Sequence, residues 1–152
     1  MNPIEGVRIT LVSPRGSATY SGMIPGYIAG HYDLDAVQIN LRALCRYAGA
    51  DFIESEVEGI DLLTNSVVMA GRPSLRFDAL SLDIGSGKRA DLSEVQGSGI
   101  SIKPINDFIS CWPSLIKRIC DGKIKELGVV GSGAAGIEVA LALEHRIRSG
   151  VL

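Results

Sequence analysis

Apolar and polar positions along this chain alternate between two periods, and the changes of period predict an α/β order. Val7-Arg-Ile-Thr-Leu-Val12 is a β-branched run ended by Ser13 and Pro14, which predicts a strand. Between Arg15 and Tyr32 no period holds. Gly, Ser, Pro and Tyr there predict a long irregular loop with room for one helical turn. Its apolar members Tyr20, Met23, Ile24, Pro25, Tyr27 and Ile28 are too many for a solvated linker. From Asp35 to Gly49 the spacing of Val37, Leu41, Leu44 and Tyr47 predicts one helix, with Gly49 as its C-cap.

Alternation returns at Asp51-Phe-Ile-Glu-Ser-Glu-Val-Glu-Gly-Ile60, the pattern of a half-buried strand. Asp61 to Asn65 turns the chain, Ser66 to Ala70 returns, and Leu75-Arg-Phe77 follows the turn at Gly71. These predict an antiparallel meander over about 51–77. Ala79-Leu-Ser-Leu-Asp-Ile84 predicts another strand, running into Gly85-Ser-Gly87, and Lys88 to Gly99 a surface connection. Ile105 to Cys120 carries Ile105, Phe108, Ile109, Trp112, Ile116 and Ile119 at helical spacing, with Pro113 predicting a kink or break. Leu127-Gly-Val-Val130 then predicts a short strand, a glycine turn and a final amphipathic helix.

Composition narrows the classes. The chain has 152 residues, enough for one domain with a real core and marginal for two. Hydrophobic residues make up 46% and charged residues 21%, an ordinary globular balance. The net charge of −2 leaves no electrostatic footprint for nucleic acid. No apolar run has the length of a membrane span, and the N-terminus has no signal-peptide pattern. The expected location is the cytoplasm, with peripheral membrane attachment open to a longer parent protein. Cys45, Cys111 and Cys120 form no close pair, which argues against thiol–disulfide exchange and predicts buried or half-buried thiols. His31 and His145 suggest neither a metal cluster nor a Ser–His–Asp arrangement; His31 reads as a surface or capping residue.

The chemistry concentrates in Gly131-Ser-Gly133-Ala-Ala-Gly136. In a strand–turn–helix context this spacing assigns a tight turn to Gly131, close backbone approach to Gly133 and close packing to Gly136. A dinucleotide pyrophosphate would then meet the positive end of the helix that starts near Ala134. The plainer reading is a tight turn without a ligand. Glu138 reads either as a helix-surface residue or as a ligand contact. The residue that would select NAD over NADP is expected about 20 residues beyond the turn, near Val151.

With these residues in hand, the chain resembles the pyridine nucleotide-disulfide oxidoreductase superfamily. The likeness is strongest to type II NADH dehydrogenase-like flavoproteins, including those fused to selenide-water dikinase. Val7 to Pro14 resembles the second strand of the family's FAD fold. Tyr20 to His31 resembles the segment lining the flavin, and Asp78 to Ser86 the strand returning to it. The glycine turn resembles the start of the NAD(P)H fold. The resemblance implies an incomplete FAD/NAD(P)-binding Rossmann-like α/β fold with an antiparallel meander. A partial FAD-binding domain would occupy 1–122, and the start of a NAD(P)-binding domain 123–152.

For FAD it implies Ser13 and Pro14 on the adenosine side, Gly22, Met23 and Pro25 beside the isoalloxazine, and Asp83 and Gly85 at the return. Ser13 stands where the family places a carboxylate. For NAD(P)H it implies Gly131, Gly133 and Gly136 on the pyrophosphate, with Glu138 toward the nicotinamide. The expected function is that of a central fragment of an FAD-dependent NAD(P)H oxidoreductase passing hydride to a quinone or other acceptor. The parent would use FAD and NAD(P)H, whereas the fragment alone is expected to be inactive and to hold little or no cofactor. The alternative is a non-enzymatic nucleotide-binding or self-associating module. An unpaired edge at Val7–Val12 predicts homo-oligomers.

Overall fold

In the computed structural model, which describes residues 5–85 and 99–150, the chain sorts into two compact units. The first combines Met1–Ala18 with Gln38–Asp83, and the second combines Thr19–Val37 with Ile84–Leu152. The expected features at Ser86, Gly87, 88–98 and Val151 lie outside the described residues.

In the first unit, Thr10–Ser13 (β1) pairs in parallel with Asp51–Glu54 (β4) in register from Thr10↔Asp51 to Ser13↔Glu54. Ser17–Thr19 (β2) pairs with Gln38–Asn40 (β3) as a second short sheet. Leu41–Ala48 (α2) follows β3 directly, because the Asn40 side chain accepts the Ala43 amide at 3.0 Å and caps the helix. That cap divides the single helix expected over 35–49 into a 3-10 turn at Asp35–Val37, then β3, then α2. The buried side of α2 is Leu41 and Cys45; Leu44 and Tyr47 face solvent. Gly49 ends α2 at φ 67°, as its position as a C-cap requires.

The strand expected over 51–60 is two strands. Ser55 makes the corner: its amide donates to the Ser13 carbonyl at 3.0 Å, and its hydroxyl donates to the Ala70 carbonyl at 3.2 Å. Beyond it Val57–Asp61 (β5), Ser66–Met69 (β6) and Arg72–Arg76 (β7) form the antiparallel meander. The meander therefore spans 57–76, and Asp51–Glu54 belongs to the parallel pair instead. The middle strand β6 is the most buried, through Ser66, Val67 and Met69.

In the second unit, Ile24–Ala29 (α1), Ile105–Cys120 (α3) and Ala134–Arg148 (α4) share one core. Ile24, Ile28 and Ala29 meet Phe108, Ile109 and Trp112, with Val139 and Ala142 of α4. The segment expected to be a loop thus holds a 3-10 turn at Ser21–Met23 and the short helix α1, both closed over apolar side chains. Ile28 is completely buried, and each such side chain contributes about 1.5–3 kcal/mol. Helix α3 has the expected bounds and apolar side, and it runs through Pro113 without ending.

Two expected strands do not form. Residues 79–84 and 127–130 have no strand pairing, and Leu82, Ile84 and Val130 are exposed. A strand needs a partner to satisfy its backbone, and no partner stands beside either segment among the described residues. Cys45 is buried, whereas Cys111 and Cys120 are exposed, so the expected burial holds for one thiol of the three.

Candidate functional site

The glycine turn is the best-defined of the expected sites. Gly131 has φ 135°, a region that side-chain-bearing residues rarely enter. Gly133 is the N-cap of α4 at φ −74° and ψ 170°, so its carbonyl accepts the amides of Gly136 at 2.9 Å and Ile137 at 3.2 Å. Gly136 lies one turn inside the helix. A Cβ there would overlap the Gly131 carbonyl oxygen and come within 2.8 Å of the Gly131 carbonyl carbon.

Two of the three glycines are therefore required by the chain's own geometry, one by dihedral and one by contact. Gly133 is required by neither: its φ is ordinary, and a Cβ would meet nothing within 4 Å. The helix start carries no side-chain cap, which leaves its first amides open to an external acceptor. Glu138 is exposed on α4.

The residues expected on the flavin side divide between the units. Ser13, Pro14 and Asp83 belong to the first; Gly22, Met23, Pro25 and Gly85 belong to the second. Ser13 ends β1, and its hydroxyl oxygen accepts the Arg15 amide at 3.4 Å. Pro14 and Asp83 are exposed. Gly22 lies in the 3-10 turn against the Tyr20 ring, where a Cβ would sit 3.3 Å from a ring carbon. Met23 and Pro25 are half-buried at the start of α1, and Gly85 has φ 72°. A shallow hollow lined by Leu141, Glu144, His145, Arg148 and Ser149 lies toward the C-terminal end of α4, away from the glycine turn.

Side-chain contacts that sequence patterns did not announce organise the end of α1. Arg146 reaches back from α4, and its Nη1 donates to the carbonyls of Ile28 at 3.2 Å and Tyr27 at 3.4 Å. Its guanidinium lies 5.8 Å from the centre of the Trp112 ring, while its Nε is buried without a partner. A cation at the last carbonyls of a helix complements their charge. Tyr27 packs 6.2 Å from Trp112; burial raises its phenol above the ordinary value, and the Arg146 charge partly opposes that. One turn further, the His31 and His145 rings meet at their Nε2 atoms, 3.2 Å apart. No local signal announces contacts between residues 114 or 118 positions apart.

Comparison with known proteins supports the expected family. A curated protein, Ferroptosis suppressor protein 1 from Xenopus tropicalis, is 31% identical over 90 residues. The aligned stretch covers 59% of this chain and 22% of that protein. Over this partial length, the two similarities support a relationship to the pyridine nucleotide-disulfide oxidoreductase superfamily. The solved sulfide:quinone oxidoreductase from the hyperthermophilic bacterium Aquifex aeolicus superposes with a TM-score of 0.66 at 18% identity. That match covers 94% of this chain and 34% of the other, and it shows the fold. The chain thus spans about a fifth to a third of the length of these relatives. No protein-family model matches it. The architecture is an α/β, incomplete Rossmann-like arrangement with an antiparallel meander. Among the described residues no helix is long and apolar enough to cross a membrane.

Proposed function

We propose that this chain contributes to an FAD-dependent oxidoreductase that takes hydride from NAD(P)H and passes it to a quinone or other acceptor. The observation that carries the reading is Gly133: a glycine that the chain's own packing does not require, at the uncapped start of a 15-residue helix. An approaching pyrophosphate requires that bare backbone. Gly131, Gly133 and Gly136 hold the pyrophosphate of NAD(P)H, and Glu138 faces its nicotinamide side. Ser13 and Pro14 border the adenosine of FAD, with Gly22, Met23 and Pro25 beside the flat ring and Asp83 and Gly85 at the returning segment. In this reading the FAD-binding portion covers 1–122 and the NAD(P)-binding portion begins at 123. The hydride chemistry is supplied by the nucleotides when bound, and the chain orients them.

The test is a calorimetric titration of the purified chain with NADH, together with its visible flavin absorbance before and after incubation with FAD. Binding of NADH that Gly133→Val abolishes, with unchanged far-ultraviolet dichroism, supports the reading. NADH binding that Gly133→Val leaves unchanged refutes it.

A second reading, a self-associating module without catalysis, is favoured by β1. This strand pairs only with β4 among the described residues, and Val7 and Ile9 beside it are more than half exposed. Edges of this kind recruit strands from other molecules. Light scattering that finds a monomer across the accessible concentration range removes this reading.

A further inference from the structure

We propose that His31 and His145 form a binding site for a divalent zinc-class cation that clips the end of α1 to α4. The two residues are 114 positions apart, and their only side-chain meeting is Nε2 to Nε2 at 3.2 Å. Their ring centroids are 4.9 Å apart, with the planes inclined at 66°. With zinc–nitrogen bonds of about 2.05 Å at a tetrahedral angle, two ligating nitrogens stand about 3.3 Å apart and their ring centroids about 5.2 Å apart. A straight N–H···N bond along both ring axes would spread the centroids to about 5.5 Å. The observed rings meet edge-on at a separation nearer the ligand value than the end-to-end one.

Both backbones are held in advance. The His31 amide donates to the Gly26 carbonyl at 2.9 Å, just after Gly30 closes α1 at φ 84°. His145 lies in the last turn of α4, where its carbonyl accepts the Ser149 amide at 2.9 Å. The same α1–α4 junction is held by the Arg146 bonds to the Tyr27 and Ile28 carbonyls, so the backbones that carry the two imidazoles are brought together without the metal. Both rings are exposed, so a cation reaches them without opening the core.

Two neutral imidazoles can meet directly only if one offers N–H and the other its lone pair. A metal uses the lone pair of both. Imidazole favours zinc, nickel and copper over magnesium and calcium. Among the described residues no third His, Cys, Asp or Glu completes a group of three, so water fills the remaining positions. Glu144, the nearest carboxylate in sequence, is engaged with Arg148 at 2.8 Å.

The experiment is calorimetric titration of the chain with zinc chloride, in a Cys111→Ser/Cys120→Ser background because exposed thiols are zinc ligands in their own right. The expected result is saturable binding of one zinc per chain, lost in His31→Asn and in His145→Asn, with magnesium chloride giving no heat. Zinc should also raise the melting temperature of the parent and leave both variants unmoved, since a ligand stabilises only the state that binds it. Imidazole nitrogen resonances of both histidines should shift together on zinc addition, a readout that needs no variant to fold. Equal zinc binding in the parent and either variant overturns the site. So does a parent that takes up no zinc, which leaves a simple hydrogen bond between two neutral rings.

Discussion

Gly136→Ala is expected to destabilise the second unit, although it places a better helix former inside a helix. By propensity alone the change should gain about 1 kcal/mol, because alanine loses less backbone freedom than glycine. The contact reverses the sign. The added Cβ overlaps the Gly131 carbonyl oxygen and stands 2.8 Å from its carbonyl carbon, and both are backbone atoms. They can move only if the turn moves, and Gly131 already sits at φ 135°. Overpacking against a fixed neighbour costs about 1–3 kcal/mol, and a backbone clash belongs at the upper end. The net expectation is a loss of about 2 kcal/mol. Trp112, the single tryptophan, is 4% exposed in the core that α4 shares, so its fluorescence reports unfolding of this unit alone. With a urea slope of about 2 kcal/mol/M, the midpoint should fall by about 1 M. A midpoint that stays put or rises would falsify the close approach of helix and turn.

Ile28→Ala, at a fully buried position, is expected to cost about 2–5 kcal/mol in the same melt. Arg146→Ala, which removes two charge-assisted hydrogen bonds and a ring contact, should cost about 2–3 kcal/mol. Arg146→Lys should recover only part of that, because an ammonium lacks the planar fork. The Tyr27 phenol titrates above its ordinary value, so stability is full below the unfolded tyrosine value and falls as pH rises through the folded one. In Arg146→Ala the phenolate absorbance should appear at still higher pH. Asp61 is held below the usual carboxylate range by the Thr64 hydroxyl and then by the Leu63 and Thr64 amides. Its turn is therefore stabilised above the unfolded aspartate value and loses that help as pH falls through the folded one. Thr64→Val should raise the Asp61 midpoint in a carboxyl NMR titration, and an unmoved midpoint would remove the hydroxyl from the account.

What the amino-acid order revealed follows the range of the forces involved. Helix α3 was legible to its end residues, because Ile105, Phe108, Ile109, Trp112 and Ile116 repeat within one element. The start of α4 was legible for the same reason. Strands fared worse. Residues 79–84 and 127–130 have the right composition, yet a strand is made by its neighbour, and composition cannot supply one. The helix expected over 35–49 failed at Asn40, whose side chain caps a new helix instead of continuing an old one. At the candidate site, the spacing of Gly131, Gly133 and Gly136 was legible. Arg146 on the α1 carbonyls and His31 against His145 were not, because each depends on two helices folding against each other first.

The three glycines of the turn carry different physical demands, and the difference gives the functional reading its content. Gly131 answers to a dihedral and Gly136 to a contact; both would be needed in a turn that never met a ligand. Gly133 answers to neither, since its φ is ordinary and its surroundings are open. Substituting it should therefore change unfolding by no more than an N-cap exchange does, about 1 kcal/mol or less. If a dinucleotide approaches the helix start, the same substitution should remove nucleotide binding altogether. Stability and binding thus separate at this one residue, while at Gly136 they must fall together. A Gly133→Val chain that unfolds normally and still binds NADH would leave the motif a turn and nothing more.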